Sequence, residues 1–289
     1  MEVEKIPSSR NKKRSAVRIF ILGLDGLEYN FVKKWNLKNL KQKEYGRVKV
    51  PIDKYSGVPL SPEVWAAFLT GKYPSRYMGF KREPKIDFIL RVLKIMRRYL
   101  PLSLGLGKRI RVKASAKFPD LKEKTFLDLT CSKEINAPYY SHDNKTLKIT
   151  QQFDAGNLTL KEAINETLKL YSYWKERILE EGKNLENFDV VFAYMRFPDT
   201  IHHLLFIRPQ RIRRFYIDLD NYVSVLKRSI ETSLFLIVSD HGFDLKAKSH
   251  SRYGFYSSNI HLESKPKDIT DFYHLILKWT STSHLSEME

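Results

Sequence analysis

The chain has a single cysteine, Cys131, in 289 residues. A lone cysteine forms no internal disulfide, so oxidative folding is not implied, and the expectation is a small, partly buried side chain. No apolar run reaches the roughly 18–20 residues that a membrane span needs. The longest, such as Ser233–Val238, are strand-sized. The apolar segment of a secretory leader is missing as well. Residues 1–16 carry Lys5, Arg10, Lys12, Lys13 and Arg14 with no hydrophobic stretch behind them, which predicts a solvated basic tail and a cytoplasmic chain. Repeats and low-complexity tracts are absent. Acidic residues are scarce: 33 Asp and Glu stand against 51 Lys and Arg, a formal charge of +18. That imbalance favours anionic partners (phosphorylated small molecules, nucleic acid or an acidic membrane surface) without choosing among them.

What is present is the pattern of one α/β core. Hydrophobic residues make up 42% of the chain, enough for a single sizeable core with a small insertion. Apolar strand-like runs alternate with helical patterns. Arg18–Leu24, Phe188–Tyr194 and Ser233–Ser239 are continuously apolar, as strands buried on both faces are. Shorter strands are expected at Gly46–Val50 and Glu134–Ala137. Helices are expected at Pro62–Thr70, Thr125–Thr130, Thr159–Glu181 and Gln210–Ser229. Pro62 sits where a helix needs no N–H, and Gly71 is a stop signal. Residues 81–117 differ in composition. They hold a basic amphipathic helix, Ile86–Tyr99, and read as a small insertion over one edge of a domain spanning 17–280, with 281–289 a frayed tail.

The chemistry lies just after the apolar runs. Asp25-Gly26, Pro198-Asp199 and Asp240-His241-Gly242 follow three of them. Open α/β sheets bind ligands at the carboxyl ends of their strands. Taken singly, these residues read as a turn, a helix cap and a loop; the signal is their coincidence at three strand ends. Carboxylates gathered at one edge repel one another unless a cation joins them. Asp with His suits Zn²⁺ and, with more oxygen donors, Mn²⁺ or Mg²⁺. Ser61 stands at the start of a predicted helix, where serine is a common N-cap.

Five blocks resemble the alkaline-phosphatase superfamily, in its type I phosphodiesterase/nucleotide pyrophosphatase branch. They are LGLDG (Leu22–Gly26), LSPEVWAAFLTGKYPSR (Leu60–Arg76), FPDTIHH (Phe197–His203), SDHGF (Ser239–Phe243) and HSRYGF (His250–Phe255), in family order. The resemblance implies an alkaline-phosphatase-like three-layer α/β/α sandwich and two divalent metals, zinc before manganese or magnesium. One metal would be held by Asp199, His203 and His250, the other by Asp25, Asp240, His241 and the Ser61 oxygen. It implies hydrolysis of a phosphodiester or pyrophosphate bond in a nucleotide-like or small anionic substrate, with Ser61 as nucleophile and a phospho-Ser61 intermediate. A phosphomonoesterase or phosphotransferase would use the same core. A non-catalytic protein binding nucleic acid or anionic lipid is the reading from a different class. The chain departs from the family at Tyr77–Phe80, where many relatives carry His-Gly. Glu63 and Trp65 occupy positions where a sulfatase needs Pro and Arg, which disfavours that branch. His261 rivals His250 as the last ligand, and His202 rivals His203. Lys72, Trp65 and Arg252, with Lys81 and Arg82, are candidate substrate contacts. His142, His274 and His284 read as packing or surface histidines.

Overall fold

The structure, a computed structural model, describes residues 17–54, 56–73, 121–183, 185–205, 208–230 and 232–281. The expected basic tail, the 81–117 insertion with its helix, Lys81, Arg82, His284 and all but the first residue of the 281–289 tail lie outside the described residues.

A six-stranded sheet runs in the order β2-β8-β5-β1-β4-β3. In the middle, β1 (Ile19–Leu24) is parallel to β4 (Val190–Met195) on one side and β5 (Leu234–Ser239) on the other. Outside β4 lies parallel β3 (Ser132–Ile135). Beyond β5 the direction reverses: β8 (Tyr253–Ser258) is antiparallel to β5, and β2 (Glu44–Lys49) is antiparallel to β8. A separate two-stranded hairpin joins β6 (Phe243–Asp244) to β7 (Ser249–His250).

Every residue of β1, β4 and β5 is buried, as their continuous apolar character predicts. Alternate residues point to opposite faces and build two cores. Phe20, Leu22, Leu24, Val191, Ala193, Met195, Phe235 and Ile237 form one. It is covered by α1 (Tyr29–Lys34), α2 (Lys38–Lys41), α5 (Lys145–Asp154), α6 (Leu160–Gly182), α7 (Phe197–Leu205) and α8 (Pro209–Ser229). Ile19, Ile21, Val190, Phe192, Tyr194, Leu234, Leu236 and Val238 form the other, under α3 (Ser61–Thr70), α4 (Phe126–Leu129) and α9 (Asp271–Thr280). The fold is thus the expected three-layer α/β/α sandwich.

Local signals explain the main helices. Capping boxes open α4, from Thr125 and Asp128, and α6, from Thr159 and Glu162. Gly71 closes α3 in the left-handed conformation, at φ 69°. Ile212, Tyr216, Leu219, Val223 and Leu226 bury one stripe of α8. Several elements were not expected: α1, α2, α5, α9 and β8. Cys131 is exposed rather than partly buried, because it lies in the loop ahead of edge strand β3. Among the described residues no helix is long and apolar enough to cross a membrane.

Candidate metal centre

The carboxyl ends of β1, β4 and β5 share one edge, and the loops leaving them are stitched together. Asp199 donates its N–H to the Asp25 carbonyl (2.9 Å), and Gly26 donates its N–H to Asp240 Oδ1 (3.1 Å). Gly26 has φ +77°, and a Cβ there would lie 2.8 Å from Asp199 Cα, so only glycine lets the two loops touch. Leu27 N–H reaches Ser239 Oγ (2.8 Å). Glu28 caps α1 through Asn30 and also accepts from Phe243 N–H (2.9 Å), tying the β5 loop to the β1 loop. Because β8 is antiparallel, the chain ahead of it returns to this same edge and brings His250.

Asp25, Asp240 and His241 are fully buried, Asp199 is 1% exposed and Ser61 7%. Ser61 Oγ lies 3.2 Å from His241 Nε2 and 3.4 Å from Asp25 Oδ1. His241 Nε2 is also 3.4 Å from Asp25 Oδ1 and 3.3 Å from Asp240 Oδ2. On the other side, Asp199 Oδ1 faces His203 Nε2 (3.2 Å) and His250 Nε2 (3.6 Å), and those two nitrogens are 3.3 Å apart. The His241 and His250 rings stack at 3.7 Å and join the two halves.

The donor set fits divalent cations. Asp199 Oδ1 and Asp240 Oδ2 are buried without a hydrogen-bond partner, a costly state for a carboxylate. His250 Nδ1 donates to the Pro59 carbonyl (2.9 Å), which turns its Nε2 lone pair toward the cluster. His241 Nδ1 is likewise held by the Gly242 carbonyl (3.0 Å). A backbone carbonyl behind each ring is the usual support of a metal-ligating histidine. The donor atoms of Asp199, His203 and His250 all lie within 4.8 Å of one another, and so do those of Asp25, Asp199 and His241. Charge tells the same story. Burial and the Asp25 carboxylate push Asp240 up from the ordinary carboxylate range. Burial works against a charged His241, but Asp240 and Asp25 outweigh it and raise the ring's proton affinity. The pocket therefore holds a proton where a cation would displace it. Burial, then His241, depresses His250 to about 4, leaving a neutral imidazole.

Seven residues singled out from the sequence as metal ligands meet here: Asp25, Ser61, Asp199, His203, Asp240, His241 and His250. Asp199 lies between the two groups rather than in one alone. His261 belongs to the opposite edge of the sheet. It follows β8, is 78% exposed and pairs with Glu44 (3.5 Å). His202 turns into the core, against Tyr216 Oη (3.0 Å) and the Phe243 ring. Ser61 is the first residue of α3, and Leu60 rather than Ser61 is its cap; the hydroxyl is left for the cluster.

Three expected substrate contacts fare differently. Trp65 is fully enclosed among Phe68, Phe192 and Tyr194 and offers no surface to a ligand. Lys72 follows the far end of α3, roughly 16 Å from Ser61 at 1.5 Å per residue, and pairs with Glu123. Arg252 is exposed, two residues beyond His250. Two residues missed from the sequence touch the ligands. Tyr194 donates its hydroxyl to Asp25 Oδ2. Arg196 reaches Asp199 Oδ2 with Nε and Nη2, both at 3.4 Å. Arg196 is the first residue after β4, so the rule that flagged the acids, chemistry just past an apolar run, would have flagged it too. His142 packs edge-on against Tyr194 at 5.2 Å, close to the pocket rather than on the open surface.

No family model matches the sequence, and no curated protein matches it. Solved structures do resemble the fold. The PH0037 protein of Pyrococcus horikoshii is 11% identical with a TM-score of 0.50, covering 92% of this chain and 97% of that one. That likeness extends over nearly the whole of both chains and is a likeness of fold. Murine ectonucleotide pyrophosphatase/phosphodiesterase 5 is 12% identical (TM-score 0.44), with 78% of this chain and 57% of that chain covered. Alkaline phosphatase from the Antarctic bacterium TAB5 is 11% identical (TM-score 0.47), with 92% and 98% covered. The chain spans 57% of the length of the murine pyrophosphatase it matches.

Proposed function

We propose that the chain is a metal-dependent phosphoester hydrolase of the alkaline-phosphatase superfamily, with Ser61 as its nucleophile. The observation that carries this reading is the meeting of three buried carboxylates, three histidine Nε2 atoms and one serine hydroxyl, two of the carboxylate oxygens making no hydrogen bond. His203, His250 and Asp199 would hold one divalent ion, and Asp25, Asp240, His241 and Ser61 the second. Zinc suits this histidine-rich set best. When bound, the ions supply Lewis acidity toward phosphoryl oxygens and lower the proton affinity of the serine hydroxyl.

The chain's own residues do the positioning. Ser61 stands at the N-terminus of ten-residue α3, where the helix's partial positive charge favours a phosphoryl group. Asp25 and His241 flank its Oγ and fix the direction of its lone pairs. Tyr194, donating to the far oxygen of Asp25, keeps the near oxygen on Ser61. The Ser61 Oγ–P bond forms as its hydroxyl proton passes to solvent and the bond from phosphorus to the leaving oxygen breaks, and the departing alkoxide or phosphate takes a proton from solvent as it needs one. Water then attacks phosphorus, the Oγ–P bond breaks, and Ser61 regains its hydrogen. The substrate is a phosphodiester or pyrophosphate of a nucleotide-like or small anionic molecule.

Hydrolysis of bis-p-nitrophenyl phosphate and p-nitrophenyl phosphate, by stripped, Zn²⁺-loaded and Mn²⁺-loaded protein, tests this. Metal-dependent turnover of the diester, abolished in Ser61→Ala and Asp240→Asn, is expected. A strong monoester preference would move the reading to a phosphatase. No turnover together with no stoichiometric metal would sink it.

A further inference from the structure

Arg196, Asp199 and His203 stand at i, i+3 and i+7, along one face of α7 and the residue just ahead of it. The Thr200 N–H and hydroxyl both donate to the Arg196 carbonyl (3.2 and 3.1 Å), which locks Arg196 to the first turn. A cation at a helix N-terminus is opposed by the helix's own partial positive charge. Asp199 offsets that cost. Arg196 Nε and Nη2 both reach its Oδ2 at 3.4 Å, while its Oδ1 is left to His203 and His250. Among the described residues this is the one ion pair that Arg196 makes, and neither Asp25 nor Asp240 pairs with a lysine or arginine.

The two halves of the centre therefore differ in charge and in burial. The inner half, Asp25, Asp240 and His241, has two carboxylates, three fully buried side chains and no permanent cation paired with it among the described residues. Asp199 stands close enough to Asp25 and His241 to add to its field. The outer half, Asp199, His203 and His250, has one carboxylate, and Arg196 already neutralises it. Its histidine side chains are 45% and 18% exposed, so water screens what charge is left. A proton held by a ligand leaves when a metal ion arrives. A guanidinium keeps its charge, so Arg196 goes on opposing any ion that Asp199 receives.

We propose, resting on the metal-dependent reading above, that the two cation sites fill in order, the inner one first and tightly, the outer one second and weakly, with Arg196 as the residue that sets the gap. Like charges held a few ångströms apart repel strongly enough, even at an effective dielectric constant of about 20, to lower a divalent ion's affinity by about tenfold or more. Arg196 is thus a positioning residue with two effects. It keeps Asp199 ionised with Oδ1 aimed at the histidines, and it keeps the outer ion exchangeable. A one-ion form of the protein then exists over a range of free metal concentration, and turnover follows that concentration through the outer site.

The test is calorimetric titration of metal-free protein with Zn²⁺, with a competing chelator to resolve tight binding. Wild type is expected to take up two ions, the second about tenfold or more weaker than the first. His203→Ala, a change at a half-exposed side chain, should lose the weak ion and keep the tight one. Arg196→Gln leaves an amide to donate to Asp199 but no charge; its second ion should bind about tenfold or more tightly than in wild type, with the first little changed. Arg196→Lys retains the charge and should retain the gap, which keeps the idea open to refutation if Arg196→Gln does not fold. Equal affinities in wild type, loss of the tight ion in His203→Ala, an unchanged second affinity in Arg196→Gln or a closed gap in Arg196→Lys would each overturn the ordering and leave the two-metal reading intact. No zinc bound at all would overturn both. Turnover of bis-p-nitrophenyl phosphate is run alongside: its absence with ordered binding of two ions would refute the hydrolase reading and leave the inequality of the sites standing.

Discussion

Two kinds of buried carboxylate occur in this protein, and the contrast separates scaffold from site. Asp220, 9% exposed, is saturated: it accepts from Asn39 N–H (2.9 Å), Asn39 Nδ2 (2.8 Å) and Leu40 N–H (2.8 Å), fixing α2 to α8. Glu44, at the quiet edge of the sheet, collects the Tyr256 hydroxyl, Leu262 N–H and His261. Asp199 and Asp240 are more deeply buried, yet each has an oxygen that makes no hydrogen bond and faces a histidine nitrogen instead. A buried acid with its donors present is a structural part. A buried acid with an oxygen left without a hydrogen bond, faced by histidine nitrogens, is suited to take a cation.

The largest effect that would break this contrast is expected at Arg196. Its guanidinium is the permanent counter-charge of Asp199; burial opposes its charge, but Asp199 and Asp25 hold it firmly protonated. Arg196→Met removes the permanent positive charge beside a buried carboxylate, which costs about 3–5 kcal/mol. Metal-free protein should then melt about 10 °C lower. Divalent metal should restore most of the loss, because a second cation takes over the arginine's task. Melting curves with chelator and with Zn²⁺ decide it, and an equal deficit in both would show that Arg196 does not serve the pocket.

Asp220→Ala should cost less, about 2 kcal/mol, by stranding buried N–H donors. Here the loss should be the same with and without metal; a metal-dependent loss would erase the distinction between the two kinds of acid. The smallest effect concerns an exposed carboxylate. Thr159→Ala removes the cap of α6 and should cost about 1 kcal/mol. The Thr159 backbone N–H and hydroxyl hold the Glu162 carboxyl below its ordinary range. A depressed carboxyl stabilises the fold above its unfolded value, and that contribution fades as pH falls through the folded one. Urea titrations of wild type and Thr159→Ala should accordingly show a gap that narrows in acid, and a gap constant from neutral pH downward would rule out a contribution from the Thr159 hydroxyl–Glu162 carboxylate bond.

Much of this was legible in the sequence because the central strands are apolar throughout and their ends carry acids. Asp25, Asp199, Asp240 and His241 announce themselves by position. The choice between His250 and His261 was not legible, since it depends on the direction of β8, and Tyr253–Ser258 has too few aliphatic residues to read as a strand. The short helices α1 and α2, with six and four residues, span too few turns for a period to show. Lys72 and Trp65 illustrate a different limit. Both lie in or beside a family-like block, but a helix carries its successive residues around and away from its first turn. Position in a motif did not fix direction in space.

The stitching of Gly26 to Asp240, of Leu27 to Ser239 and of Glu28 to Phe243 spans more than 210 residues of chain in each case. As the polypeptide is made, Asp25 precedes its sheet neighbours β4 (Val190–Met195) and β5 (Leu234–Ser239) by a long stretch of chain. The first acid of the pocket therefore waits, without its partners, while that stretch is made. Long-range closure of this kind is late and slow in folding. The carboxylates and histidines of the cluster can therefore meet only once the central sheet is complete.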